Sequence, residues 1–220
     1  PPKSNDGNEN TMWLAADGSF PHWWLVDLEE EFELDSVELV FEFVGKPKYI
    51  VEVSTDKDNW IKVVDRSKNS DMSNRYVDKL IPINARYVRV TINAMDVPDR
   101  PGAWAAIMET KVYGREKRAN YDIVAINSVD VTTNEGIAPD LPKVVPAVLS
   151  DETLILLPVE WDDIDPSQYA QPGNFIVEGV VEGTDIKAVA NVNVISSVVL
   201  ENVALNKPAS AQSSYQHWTG

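Results

Sequence analysis

The chain has 220 residues, of which 44% are hydrophobic and 25% charged, a balance that marks folded domains rather than a disordered chain. It carries 19 Lys and Arg against 35 Asp and Glu, a formal net charge of −16; such a body repels nucleic acid and anionic lipid, which argues against both as partners. The absence of cysteine excludes disulfides, thiolate metal sites and cysteine nucleophiles.

From Ser4 to Leu28 the chain sets a turn dense in side-chain oxygen (Asn5, Asp6, Asn8, Glu9, Asn10, Thr11) before Trp13, Trp23 and Trp24. Gly7 lets a tight turn aim carbonyls inward, and Asp6 and Thr11 add side-chain oxygens. That suits a hard cation such as calcium, and it equally suits an ordinary Asx turn without an ion. Beyond it the pattern has period two. Val37, Leu39, Phe41 and Phe43 alternate with Glu38, Val40 and Glu42; Tyr49, Val51 and Val53 follow; then Val88, Val90 and Ile92. Each predicts a strand with one face on a core. Turn clusters at Gly45-Lys46-Pro47, 55–59 and 96–102 separate them. Many short strands with frequent turns predict an all-β jelly roll or sandwich over 1–114.

Residues 115–120 form a charged connector. A second unit, 121–196, has fewer strands (129–132, 155–161, 174–181, 188–194), with Gly136, Pro139, Pro142, Pro146, Pro172 and Gly173 marking turns. That spacing predicts a small immunoglobulin-like β-sandwich. The rest, 197–220, reads as a strand-like tail.

By their order and spacing, NDGNENTMW, FPHWWLVDL, YIVEVSTDKDNW, ARYVRVTI and GAWAAIMETKVYG resemble the coagulation factor 5/8 type C, or discoidin, family. Its bacterial members include the family 32 carbohydrate-binding modules. The resemblance implies an eight-stranded antiparallel jelly roll (discoidin, galactose-binding-like) with ligand loops at one end. Segment 121–195, with TTNEGIAPDLPKVV and VEWDDIDPSQYAQPGNFIVEGVVEGT, is similar to bacterial immunoglobulin-like group 4 domains, which act mostly as spacers. The tail NVALNKPASAQSSYQHWTG resembles the opening strand and first loop of a discoidin domain, which the first unit lacks. Either it begins a next module, or it folds back in a permuted arrangement. Residues 196–203 span at most about 28 Å, short of a return past a sandwich, so the first alternative is expected.

The resemblance implies a structural calcium held by Asp6, the Asn8 carbonyl and Thr11, with Glu109 as distant partner. It implies glycan-binding loops at Asp96 to Trp104 (Asp99, Arg100, Trp104) and 71–75 (Asn74, Arg75), with the first-loop equivalent at Tyr215, His217 and Trp218. Sugar rings stack on exposed aromatics and need polar groups at the rim. The plain alternatives are burial of Trp104 under its loop and a surface ion pair for Arg100. Trp13, Trp24 and Trp60 read as core, Trp23 is undecided, and His22 reads as a turn residue. The acids Asp162, Asp163 and Asp165 crowd one turn and do not face each other across a substrate, so glycosidase chemistry is not expected of them. Two histidines leave little for a Ser-His-Asp triad, and phosphate-binding glycine motifs are absent.

The expectation is a non-catalytic carbohydrate-binding and spacer segment of a large secreted or cell-surface bacterial protein acting on glycans, with neighbouring modules as further partners. A purely architectural module pair is the alternative. Membrane insertion is not expected, because the loops at 45–48 and 96–103 offer only Val44 and Val97 as apolar spikes.

Overall fold

The computed structural model describes residues 3–196. The tail at 197–220, and with it Tyr215, His217 and Trp218, lies outside the described residues.

The first unit is built from β1 (Trp13–Leu14), β2 (His22–Ser54), β3 (Ile61–Asp65), β4 (Ser73–Asp96) and β5 (Ala106–Glu116). β2 and β4 are long because each crosses from one sheet to the other without losing extended geometry. β2 pairs with β4 through three segments: 22–27 against 87–92, 32–40 against 75–85, and 46–54 against 87–96. One sheet is therefore ordered β3, β2 (49–54), β4 (87–92), β2 (22–27). The other is ordered β4 (75–85), β2 (32–40), β5, β1. Three segments from β2, two from β4 and the three shorter strands give eight antiparallel strand segments in the two facing sheets of the jelly roll among the described residues.

The period-two pattern is what places the core. Val37, Leu39, Phe41, Tyr49, Val51, Val53, Val88, Val90 and Ile92 are fully or nearly fully buried between the sheets. Their odd-or-even neighbours face out, since successive side chains point to opposite faces. Trp24 is core and Trp13 packs against it. Trp23, one residue away, is 63% exposed. Trp60 departs from its expected core place. Its indole N–H donates to the Lys57 carbonyl at 2.7 Å, and Arg89 lies 4.0 Å from its ring, so it covers the outer face of a sheet.

The second unit comprises β6 (Ile123–Ile126), β7 (Val129–Asn134), β8 (Val144–Leu149), β9 (Leu154–Trp161), a 3-10 turn (Pro166–Tyr169), β10 (Gly173–Val181) and β11 (Ala188–Ile195). β6, β8 and the first half of β9 form one sheet; the end of β9, β10, β11 and β7 form the other. Trp161 touches both halves of the core, and its indole donates to the Pro142 carbonyl at 2.7 Å. Asp165 caps the 3-10 turn by accepting from Ser167 N at 2.8 Å. β11 runs parallel to β7 and ends beside Asn134.

The connector is not free. Arg115 and Glu116 still belong to β5. Arg118 makes two hydrogen bonds to Glu33, at 2.9 and 2.8 Å, and Arg115 reaches the same carboxylate at 3.1 Å. Tyr121 donates to Asn84 at 3.0 Å. Ile83 of β4 and Leu156 of β9 form a parallel bridge between the units. The charged run reads as a solvated linker because its partners lie about 85 residues upstream, at Glu31 and Glu33.

Candidate functional site

Two loop regions of the first unit hold the sequence-predicted site residues. The first is the turn from Lys3 to Thr11. Gly7 adopts φ +76°, which side-chain-bearing residues rarely take, and so closes the turn. Thr11 Oγ1 then lies 2.9 and 2.8 Å from the two Asp6 carboxylate oxygens, 3.0 Å from the Lys3 carbonyl and 2.9 Å from the Asn8 carbonyl. One hydroxyl carries one proton, so these oxygens cannot all be satisfied by it. The loop is tied to β5 where Thr110 N donates to the Ser4 carbonyl at 2.6 Å. Next to that bond Glu109 is 3% exposed, and its Oε2 has no hydrogen-bond partner. Carbonyls, a hydroxyl and a carboxylate crowded at Thr11 Oγ1 are donors of the kind a hard cation takes, and the unpaired Glu109 Oε2 lies one residue from the bond that ties the turn to β5. No three His, Cys, Asp or Glu side chains are placed to hold a metal ion among the described residues, so a cation at this turn would depend on backbone carbonyls and the Thr11 hydroxyl for most of its ligands.

The second region is the loop from Asp96 to Ala105. Two successive turns shape it: Arg100 N donates to the Val97 carbonyl at 3.0 Å, and Ala103 N to the Arg100 carbonyl at 3.1 Å. Val97 is 7% exposed and anchors the loop inward, which removes it as a membrane spike; Val44 is exposed. Trp104 is 45% exposed, so it is not buried under its loop. Its indole edge rests on Gly18, where an added Cβ would fall 2.7 Å from Nε1. Among the described residues Arg100 forms no ion pair. Its guanidinium stacks 4.3 Å from the Phe43 ring, which fixes the planar group while leaving its edge donors in solvent. Arg100, Trp104, Phe43, Leu14 and Glu42 line one shallow, open depression of about 610 Å³. Beneath this end of the jelly roll, Tyr76 donates to the Asp71 carbonyl at 2.6 Å, and Tyr49 donates to Asp78 at 2.6 Å. Burial, then the neighbouring Asp78 carboxylate, push the Tyr49 hydroxyl far above its ordinary pKa.

The structure thus brings Arg100 and Trp104 together and leaves Asp99 exposed on the same loop. It does not bring Asn74 and Arg75 to that depression. Arg75 pairs with Glu9 at 2.6 Å and with Glu38, and Lys111 joins both carboxylates at 3.3 and 3.4 Å. The Arg75 hydrogen bond, then that of Lys111, hold the Glu9 carboxyl below its usual range. This network braces the Lys3–Thr11 turn against the sheet. Leu14, Glu42, Phe43 and Gly18 were not singled out by sequence reasoning. Phe43 reads there as one more alternating strand residue, and only its meeting with Arg100 gives it a role. His22, read from the sequence as a turn residue, instead opens β2 opposite Ile92, and its ring lies 3.1 Å from Asp17 of the preceding turn.

Residues 3–90 match the family described as F5/8 type C, NedA-like, galactose-binding domain. Residues 126–184 match the bacterial Ig-like domain, group 4. The chain is therefore an F5/8 type C-like unit followed by a bacterial Ig-like unit. No curated protein matches it. Among solved structures, it is similar to CpGH89CBM32-6 of Clostridium perfringens, with 27% identity over 51% of this chain and 82% of that one, TM-score 0.45. It is similar to chitosan-binding module 1 of a chitosanase/glucanase from Paenibacillus sp. IK-5, with 26% identity over 51% and 83%, TM-score 0.45. A family 89 glycoside hydrolase from Clostridium perfringens shares 21% identity over 57% of this chain and 14% of its own, TM-score 0.46. The jelly-roll assignment rests on the strand pairing and the family match.

Proposed function

We propose that the F5/8 type C-like unit binds glycans through the Trp104 depression, and that the Ig-like unit spaces it within a secreted or cell-surface bacterial protein acting on glycans. The observation that carries this is Trp104 standing half-exposed beside an Arg100 guanidinium pre-oriented on Phe43. An aromatic face takes the C–H side of a pyranose, and the guanidinium edge takes its hydroxyls. The galactose-binding description of the matched family supports the same reading. The role is non-catalytic: neither the depression nor the Asp162–Asp165 turn offers two facing carboxylates. A glycan array probed with the full chain and with Trp104→Ala tests it. Binding lost in the variant supports the proposal; binding equal in both, or none to any galactose- or N-acetylglucosamine-containing glycan, ends it.

Calcium is the cation the Lys3–Thr11 turn fits. Lys3 and Asn8 would offer carbonyls, Asp6 and Glu109 carboxylates and Thr11 its hydroxyl, consistent with the crowding around Thr11 Oγ1 and the orphaned Glu109. Bound there, the ion would supply charge neutralisation alone, fixing the turn to β5.

A purely architectural role is the second reading. The buried joint at Glu33 favours it, because it sets the two units in one orientation whether or not a sugar is bound.

A further inference from the structure

We propose that the cleft between the two units is a second ligand site, taking a neutral oligosaccharide. The cleft has a volume of about 820 Å³, within the range of small-ligand sites. One wall belongs to the F5/8 type C-like unit, the other to the Ig-like unit, and the connector forms its floor. The walls are held at a fixed separation by the Glu33–Arg118 hydrogen bonds and the Ile83–Leu156 bridge. Its shape therefore exists before a ligand arrives, which lowers the ordering cost of binding.

The chemistry of the lining selects the ligand class. Most of its charges are already used. Lys117 is paired with Glu31 at 2.6 Å, Arg118 with Glu33, and Asp56 accepts 2.8 Å bonds from the backbone of Asp58 and Asn59 in its own turn. Four lining groups keep polar capacity among the described residues: Lys143 and Asn120, whose side chains make no hydrogen bond or ion pair there, Glu182, which acts on Lys117 only through charge, and the amide N–H₂ of Asn84, whose oxygen accepts from Tyr121. One cation, one anion and two amides carry no net charge, so the cleft offers no excess of either sign to hold a charged ligand. Between these groups the lining is aliphatic, from Ile61, Ile123, Val144 and Val159. Aliphatic surface for sugar C–H faces, with scattered donors and acceptors for hydroxyls, fits an uncharged polyol better than an anion or an apolar molecule.

The site is separate from the Trp104 depression. Ser54 lines the cleft while Phe43 lines the depression, and the strand segment from 45 to 54 runs between them, about 30 Å at the usual rise per residue. Two weak sites on one rigid body would bind a branched or multi-chain glycan surface with avidity.

The test is an NMR titration of the isotope-labelled full chain with N-acetylglucosamine, lactose and triacetylchitotriose at millimolar concentrations, with inorganic phosphate and the cationic sugar chitotriose as charged arms. The backbone amides of Asn59, Asn84, Asn120 and Gly183 are expected to shift saturably with a neutral sugar, in the native chain and in Trp104→Ala alike. The double variant Asn120→Ala, Lys143→Ala is expected to weaken that response about tenfold, the loss of two polar contacts, with an unchanged unfolding midpoint. The proposal is overturned if no neutral sugar moves these amides, or if either charged arm moves them as far. Binding at the Trp104 depression is read from Gly102 and Ala103 instead, so each reading stands or falls alone.

Discussion

Glu33 and Arg118, 85 positions apart, are joined by two parallel hydrogen bonds of 2.9 and 2.8 Å, and the Glu33 side chain is fully buried. The pair closes the seam between the two units where β5 runs into the connector. Gly114 permits that approach, since an added Cβ would lie 2.5 Å from the Glu33 carbonyl oxygen. Removing Arg118 leaves the buried Glu33 carboxylate to Arg115 at 3.1 Å and the Tyr121 hydroxyl at 3.3 Å, so the lost pair of charged hydrogen bonds costs about 2 kcal/mol. Arg118→Ala is therefore expected to lower the denaturation midpoint and to broaden the small-angle scattering profile of the native chain as the units uncouple. The double variant Glu33→Gln, Arg118→Gln should recover part of the loss. An Arg118→Ala protein with an unchanged profile and midpoint would show that the joint is held elsewhere.

The Trp104 depression makes a graded prediction. Trp104→Ala should abolish measurable glycan binding. Phe43→Leu, which keeps the core-facing strand but removes the ring under Arg100, should weaken it about threefold, the value of an exposed cation–π contact. Calorimetric titration of the three proteins against one array-positive glycan decides it; a Phe43→Leu protein that binds at full strength would detach Arg100 from recognition.

The Lys3–Thr11 turn predicts a calcium-dependent melting temperature. At a calcium concentration about 100 times the dissociation constant, linkage adds about 2.7 kcal/mol. Chelation should lower the melting temperature, and Glu109→Gln should blunt the difference between chelated and calcium-saturated protein. Scanning calorimetry with magnesium as control measures this; identical curves with calcium and with chelator would remove the ion from the turn.

Acid should act on the surface pairs of the first unit. The hydrogen bond from Arg86 holds the Asp27 carboxyl below its ordinary 3.8, and the turn amide of Asn59 does the same for Asp56. A lowered folded value means that the contribution is complete above 3.8 and is lost as pH falls through the folded value. Stability should then slope downward only below about pH 4 on account of these groups. Asp27→Asn should flatten the slope without altering the plateau's shape above it. A denaturation series from pH 2 to 7 gives the answer, and an unchanged acid limb would assign the slope to other carboxylates.

The alternation at 37–41, 49–53 and 88–92 was enough to place strands and core faces, because side-chain direction along a strand follows from local geometry alone. The oxygen-rich turn at Asp6–Thr11 was legible for the same reason: its atoms meet within a few residues. Trp23 and Trp24 show where such reading stops being safe and where it holds. Alternation says they face opposite ways, and only the sheet they join decides that Trp24 is the buried one. Trp60 looked like core because its local sequence does not reveal that Arg89 of a neighbouring strand will cover it. The site depended still more on long-range pairing. Phe43, Leu14 and the loop that carries both Arg100 and Trp104 come from three separate segments, and their meeting requires β1 to pair with β5 and the 96–105 loop to fold over β2 at Phe43. Likewise Arg115, Lys117 and Arg118 read as a solvated linker until the jelly roll presents Glu31 and Glu33 to them. Composition and periodicity determined the strands, the two units and the chemical character of the turn. Tertiary structure alone decided the joint, the cleft it holds open and the exposed face of Trp104, because each depends on which distant strands pack together.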